Sequence, residues 1–282
     1  MDWLVCPHCR GDLALGEQTL RCAAGHCYDI ARQGYANLLP GDAHTGTGDT
    51  ALMVAARGAF LAAGHYAPAC DALAEAAATE LSRVSAGGCV ADLGAGTGHY
   101  LSAVLDRVPD RPGIALDISK YALRRAARAH PRVGAVVCDT WRRLPLRDAS
   151  AALVLNVFAP RNGPEIQRVL RPGGALLVVT PAACHLQELV TPLGLLSVDG
   201  DKDRRIAEKL GPYLLPEERR EVRWTLLLSR AQVGAVVGMG PSAWHIDAEQ
   251  LAGRLALLPD PVEVTAAVTV AMYRRPPRKP AS

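Results

Sequence analysis

From Cys89 onward, short apolar runs alternate with helical patterns, and this alternation constrains the fold more than any other feature. The runs are "CVADL" (89–93), "GIALDIS" (113–119), "GAVVCD" (134–139), "SAALVLNVFAP" (150–160) and "ALLVVTP" (175–181). Each is apolar at consecutive positions, so each must be covered on both sides. Helical patterns at 98–107, "KYALRRAARAH" and "GPEIQRVL" stand between them. Strand–helix–strand repeats of this kind predict an α/β domain with a parallel, doubly wound sheet. Two more strands, in "EVRWTLLLSR" and "VEVTAAVTVAMYRR", flank a helical pair at 231–258 and bring the expected sheet to seven strands, mostly parallel. The "RPGG" at 171–174 is read as a turn before the fifth strand.

Upstream, Ala-rich residues 51–83 carry apolar positions at helical spacing, broken by Gly64 and Pro68, which predicts two helices. The expected plan is a small amino-terminal unit at 1–37, a linker at 38–50, a helical connector at 51–86, the α/β domain at 87–275 and a disordered Pro/Arg-rich tail at 276–282.

The amino-terminal unit holds four cysteines and two histidines between Cys6 and Cys27. Cys6-x2-Cys9 is a knuckle whose thiolates reach one ion, and Cys22 and His26 follow after twelve and three intervening residues. Three thiolates and an imidazole suit tetrahedral Zn2+, and four protein ligands leave no open position, so the ion is structural. On spacing, His26 leads Cys27 as fourth ligand, and His8 lies inside the knuckle facing away. Roughly 35 residues bury too little surface to fold alone, and a metal supplies the deficit. The pattern is that of a zinc ribbon with one ion per chain.

Net charge is +3, which by itself does not point to nucleic acid. Of the 31 basic residues 27 are arginine, a choice that suits phosphate contact but also follows from codon bias. Residues 1–15 lack the apolar core of a secretory signal, and no run approaches a membrane span. A cytoplasmic location with no membrane association is expected.

"ADLGAGTGHY" places Asp92 before Gly94, Gly96 and Gly98. The dinucleotide fingerprint GxGxxG would need glycine at 99, where His99 stands, so it fails. D-x-G-x-G-x-G looks instead like the first motif of S-adenosylmethionine-dependent methyltransferases. Asp117 ends the second strand, 23 residues after Gly94, where a carboxylate can accept both ribose hydroxyls. Asp139 ends the third strand and is a candidate for the adenine edge or a plain turn former.

Ribbon, helical pair and glycine turn together resemble the 23S ribosomal RNA guanine-N1 methyltransferases of the RlmA type, including the branch associated with tylosin and related macrolide resistance. The stretches that carry the likeness are "CPHC", "GHCYDIARQGYANLLP", "GDTALMVAARGAFLAAGHYAP", "DLGAGTGHY", "LDISK", "FAP" and "TPAACHL". The resemblance implies a class I, Rossmann-like methyltransferase domain and zinc on Cys6, Cys9, Cys22 and His26. It also implies cofactor contacts at Tyr66, Gly98, His99 and His185, 23S rRNA as substrate at a guanine of the 748 or neighbouring 745 type, and a homodimer. His99 departs from the aromatic residue often found there.

A guanine N1 carries a proton at neutral pH, and no residue announces itself as its acceptor. "LNVFAP" ends the fourth strand, where Asn156 could hydrogen-bond the target base and Phe158 could stack on it. Arg10, Arg21 and Arg32 lie on or beside the ribbon and are candidate phosphate contacts; otherwise the ribbon only braces the helices at 51–83. Two other readings stay open from sequence: a small-molecule methyltransferase braced by a ribbon, and a non-catalytic protein that binds cofactor or RNA.

Overall fold

The structure, a computed structural model, describes residues 2–41, 48–84, 87–195, 202–240 and 247–276. The centre of the expected linker and nearly all of the expected tail lie outside the described residues.

The chain begins with an antiparallel three-stranded sheet, β1 (Leu13–Leu15), β2 (Thr19–Cys22) and β3 (Cys27–Asp29). Its register pairs Leu13 with Cys22 and Leu20 with Tyr28, which sets Leu13, Leu20, Cys22 and Tyr28 in one buried patch. Gly25, at φ +87°, makes the bend that returns His26 O to Cys22 N at 3.0 Å.

The next strand leaves the ribbon. β4 (Tyr35–Asn37) pairs in parallel with β7 (Val133–Val137) and becomes the edge of the large sheet. The other strands of that sheet are β5 (Cys89–Leu93), β6 (Gly113–Asp117), β8 (Ala151–Val157), β9 (Leu170–Pro181), β10 (Leu215–Leu228) and β11 (Val262–Arg274). Their order is β10-β11-β9-β8-β5-β6-β7-β4, with β11 antiparallel to both neighbours. The seven expected strands are present, and the ribbon contributes an eighth. Residues 171–174 bulge out of the β8–β9 ladder, whose partners jump from Ala151↔Leu170 to Leu153↔Ala175, so the "RPGG" turn lies within a strand.

Two helical layers cover the sheet. On one face lie α1 (Ala51–Ala62), α2 (Ala67–Arg83), α3 (His99–Arg107), α4 (Lys120–Ala126), α6 (Gln187–Leu193), α8 (Arg230–Gly238) and α9 (Ala248–Ala256). On the other lie α5 (Gly163–Val169) and α7 (Lys202–Leu210). The crossover from β7 to β8, residues 138–150, carries no helix and leaves part of this second face bare. The ribbon fills that space: Leu4, Leu13, Leu20 and Tyr28 share one core with Leu116, Val136, Leu144 and Leu146. Its three-stranded sheet therefore packs on the face opposite the 51–83 helices, while Ala31 and Tyr35, at its end, join the core on the helices' side. Among the described residues no helix is long and apolar enough to cross a membrane.

Polar bonds lock the ribbon down. Val5 N donates to Pro145 O at 3.0 Å, Leu4 bridges Leu146, and Arg147 pairs with Asp12 at 2.6 Å. Arg10, held at φ +64°, donates to Leu144 O and Leu146 O, both at 3.1 Å. Arg168 reaches the same two carbonyls from α5. Charge-assisted bonds of this kind contribute about 1.5–3 kcal/mol each before screening. Replacing Arg10 with Ala should lower stability in urea by about 2 kcal/mol, with one cooperative transition because ribbon and domain share a core. A separate early transition for the ribbon would contradict this.

Candidate functional site

Cys6, Cys9, Cys22 and His26 bring their ligand atoms within 4.8 Å of one another. Cys6 Sγ and Cys22 Sγ lie 3.6 and 3.3 Å from His26 Nδ1, and Cys9 Sγ lies 3.5 Å from Cys22 Sγ. Such spacings suit a tetrahedron of ligands about 2.0–2.3 Å from one zinc ion. Burial alone would raise the Cys6 thiol, but bonds from the Cys9 backbone, Tyr28 and the His8 backbone outweigh it and bring Cys6 to about 6. Cys9 moves the other way: the Gly11 amide lowers it, but its bonds to Cys6 and Cys22 and burial outweigh that, so the two thiols share their protons. Cys27 points outward, 3.8 Å from Arg21 Nη2, and His8 stacks on His26 from outside at 5.1 Å. The geometry thus separates His26 from Cys27.

The second site sits where the strand order reverses between β5 and β8, the usual place for a ligand cleft in an open α/β sheet. β5 runs into the turn 94–98, whose three glycines take φ of +76°, +54° and +77°. A Cβ on Gly94 would stand 2.5 Å from Ala159 Cβ, and one on Gly98 3.0 Å from Ala126 Cα. The bare backbone is therefore wedged between the turn after β8 and helix α4.

Asp92 lies beneath this turn, 1% exposed, and neither carboxylate oxygen has a partner among the described residues. Burial, and secondarily Asp117, push its carboxyl up to about 8. A buried orphan acid beside a glycine cradle fits a cationic group such as the amino group of S-adenosylmethionine. Asp117 is anchored by Gly96 N and Ser119 N, each at 2.8 Å. Burial raises its carboxyl, while those amides and Arg57 oppose the rise. Arg57 pairs with Asp49, donates to Met239 O at 2.8 Å and lies against Gly96. Sequence reading missed Arg57; its signal is a charge on the stripe Val54–Arg57–Leu61, the buried side of α1.

Tyr66 caps the start of α2 and is nearly buried. His185 Nδ1 accepts from Ala267 N at 3.1 Å, which places the neutral ring's proton on Nε2, 3.1 Å from Tyr66 Oη. The turn carrying His185 is laced to β11 by Ala182 N, Leu186 N and the Glu188–Thr265 pair. Phe158 takes φ +52° at the end of β8 and is 41% exposed. Its ring lies 6.3 Å from Tyr66 and 6.2 Å from Tyr100. A left-handed backbone and an exposed aromatic at the strand end make Phe158 a candidate binding position. His99 is half-buried at the first turn of α3, and burial lowers its imidazole.

Two expected roles are altered by geometry. Asn156 is fully buried, and its Nδ2 donates to Pro160 O at 2.7 Å and Leu93 O at 3.4 Å. Through Nδ2 it ties the turn after β8 to the end of β5, while its buried Oδ1 has no partner among the described residues. Arg10 is turned into the ribbon–domain junction, so its phosphate role is withdrawn; Arg21 and Arg32 are exposed. Asp139 accepts Trp141 N at 2.9 Å and faces Arg142 at 3.5 Å, the behaviour of a turn former.

A glycine turn over a buried acid at the switch point, joined to a Cys3His cluster, defines a class I S-adenosylmethionine-dependent methyltransferase with a structural zinc ribbon. Comparison with known proteins agrees: a family model described as "RlmA, N-terminal" matches residues 4–45, and one described as "Methyltransferase domain" matches residues 90–174. A candidate 23S rRNA (guanine-N(1)-)-methyltransferase of Micromonospora griseorubida is 57% identical over 96% of this chain and 97% of its own. The 23S rRNA (guanine(748)-N(1))-methyltransferase of Streptomyces fradiae is 52% identical over 96% of each. The chain belongs to the family of 23S rRNA (guanine-N1)-methyltransferases.

Asp92 gives a pH test. Its folded value, about 8, stands above its ordinary 3.8, so the fold gains from the neutral acid at low pH and loses that gain as pH rises through about 8. Asp92→Asn should therefore raise the ligand-free melting temperature relative to wild type more near pH 8.5 than near pH 5, while weakening cofactor binding at least tenfold, roughly 1.4 kcal/mol. Equal melting differences at both pH values would refute the assignment.

Proposed function

We propose that this protein methylates N1 of a guanine in 23S rRNA, at the 748 position of the Streptomyces relative or the neighbouring 745 type. The observation that carries this reading is the half-exposed Phe158, held in a left-handed backbone beside the glycine turn and within ring contact of Tyr66 and Tyr100. That mouth suits a planar base drawn out of an RNA loop.

When bound, S-adenosylmethionine supplies an activated sulfonium methyl. The chain's own task is to align and to exclude water. Asp92 serves as counter-ion for the amino group, and Asp117 receives the ribose hydroxyls while Gly96 N fixes its orientation. Burial holds the Tyr66 phenol well above its ordinary range, so it stays protonated. With His185 Nε2–H directed at its oxygen, Tyr66 can donate its own proton toward the cleft. Asn156 positions the Phe158 turn against β5. Zinc closes the ribbon, which presents Arg21 and Arg32 for phosphate contact. In the same reading the enzyme acts in the cytoplasm as a homodimer and gives resistance to tylosin-type macrolides.

Zinc-loaded protein, labelled cofactor and deproteinised 23S rRNA should yield label in the RNA, and reverse transcription should halt at one guanine, because a methyl on N1 blocks Watson–Crick pairing. Label confined to small metabolites would support the small-molecule reading instead. Phe158→Ala should reduce kcat/KM for RNA by at least tenfold, about 1.4 kcal/mol, with cofactor affinity retained.

A further inference from the structure

The loop "DTWRR" (139–143), between β7 and β8, opens on the same strand-end rim as Phe158. Trp141 is 58% exposed, and Arg142 and Arg143 are exposed beside it. The loop is nevertheless firmly held. Asp139 Oδ1 accepts Trp141 N at 2.9 Å, and Arg142 N donates to Asp139 O at 3.2 Å. Asn162 Nδ2 faces three successive carbonyls, of Thr140, Trp141 and Arg142, at 3.3, 2.9 and 3.1 Å. Lys209 Nζ stands 5.8 Å from the indole centroid.

Two connections place this loop in the work of the site. Asn162 lies four residues beyond Phe158, and Asn156 ties that intervening turn to β5, so loop and cleft mouth share one bracing segment. On the other side, Leu144 and Leu146 receive Arg10 of the ribbon. The indole therefore sits exposed on a braced loop whose chain runs from the ribbon junction at 144–146 to the segment beside the cleft mouth, with Arg142, Arg143 and Lys209 near it.

We propose that Trp141 is a stacking platform for an unpaired RNA base adjoining the methylated guanine, with Arg142 and Arg143 on the neighbouring phosphates. The proposal deepens the RNA-methyltransferase reading and rests on it. An indole accepts any base face, and guanidinium groups contact phosphates whatever the sequence, so the platform supplies grip and register rather than base identity. Arg142 pairs with Asp139 only at 3.5 Å and half-exposed, a contact phosphate readily replaces.

Full-length, zinc-loaded Trp141→Ala and Trp141→Phe are compared with wild type on deproteinised 23S rRNA. Trp141→Ala should raise KM for RNA by about tenfold to a hundredfold, with kcat within about threefold and cofactor affinity by calorimetry unchanged. Trp141→Phe should recover most of the loss, since a phenyl ring still stacks. The double variant Arg142→Ala/Arg143→Ala should reduce the slope of log affinity against log salt by about 1.4, two single-strand phosphate contacts. If wild type methylates RNA and Trp141→Ala does so with unchanged KM, the platform is refuted while the enzymatic reading stands. If wild type places no methyl in RNA, both fall. If Trp141→Ala loses only kcat, the residue acts on the chemistry and the platform is refuted.

Discussion

The contact on which the site depends is the near-collision of the glycine turn with its neighbours. Gly94 leaves no room for a Cβ against Ala159, and Gly98 leaves little against Ala126. Because these positions carry no side chain, the end of β5, the turn after β8 and the end of α4 close on one point. That closeness places Asp92 under the turn, Asp117 within reach of Gly96 N, and Phe158 at the mouth. A single methyl at 94 would push the glycine turn away from the turn after β8, in addition to the strain of a side chain at φ +76°.

The second constraint is a missing helix. A parallel sheet needs both faces covered, and the β7–β8 crossover supplies no helix to do it. The ribbon covers that surface and lends β4 to the sheet edge. Ribbon and catalytic domain are therefore one folding unit, and zinc stabilises the methyltransferase sheet as well as the ribbon itself. This also explains why Arg10 is occupied: the junction carbonyls of Leu144 and Leu146 need donors, and Arg10 and Arg168 supply them.

Legibility in the sequence followed locality. β5 through β8 and the later part of β9 were readable because each is apolar at consecutive positions, and the glycine turn because its spacing is local. The first half of β10 was not, since "LPEERRE" has no alternation; its strand state comes from pairing with β11 over its length. α6 and α7 went unread in a stretch broken by Pro192 and Gly194. The attachment of β4 to β7 joins residues about a hundred apart, which no local pattern encodes. In the site, the acids at strand ends were legible by position. That Asp92 lacks partners, that Asn156 spends its amide on carbonyls, and that Arg57 stands beside Gly96 depend on tertiary approach.

The central claim is that the buried acid beneath the turn is the counter-ion of the methyl donor. Calorimetric titration of S-adenosylhomocysteine into zinc-loaded protein at about pH 6.5, in two buffers of different ionisation enthalpy, tests it most directly. Asp92 is largely neutral there in the free protein and must ionise when a charged amino group arrives. The account predicts one site per chain and release of close to one proton, abolished in Asp92→Asn. Absence of binding, or binding without proton release, would contradict it.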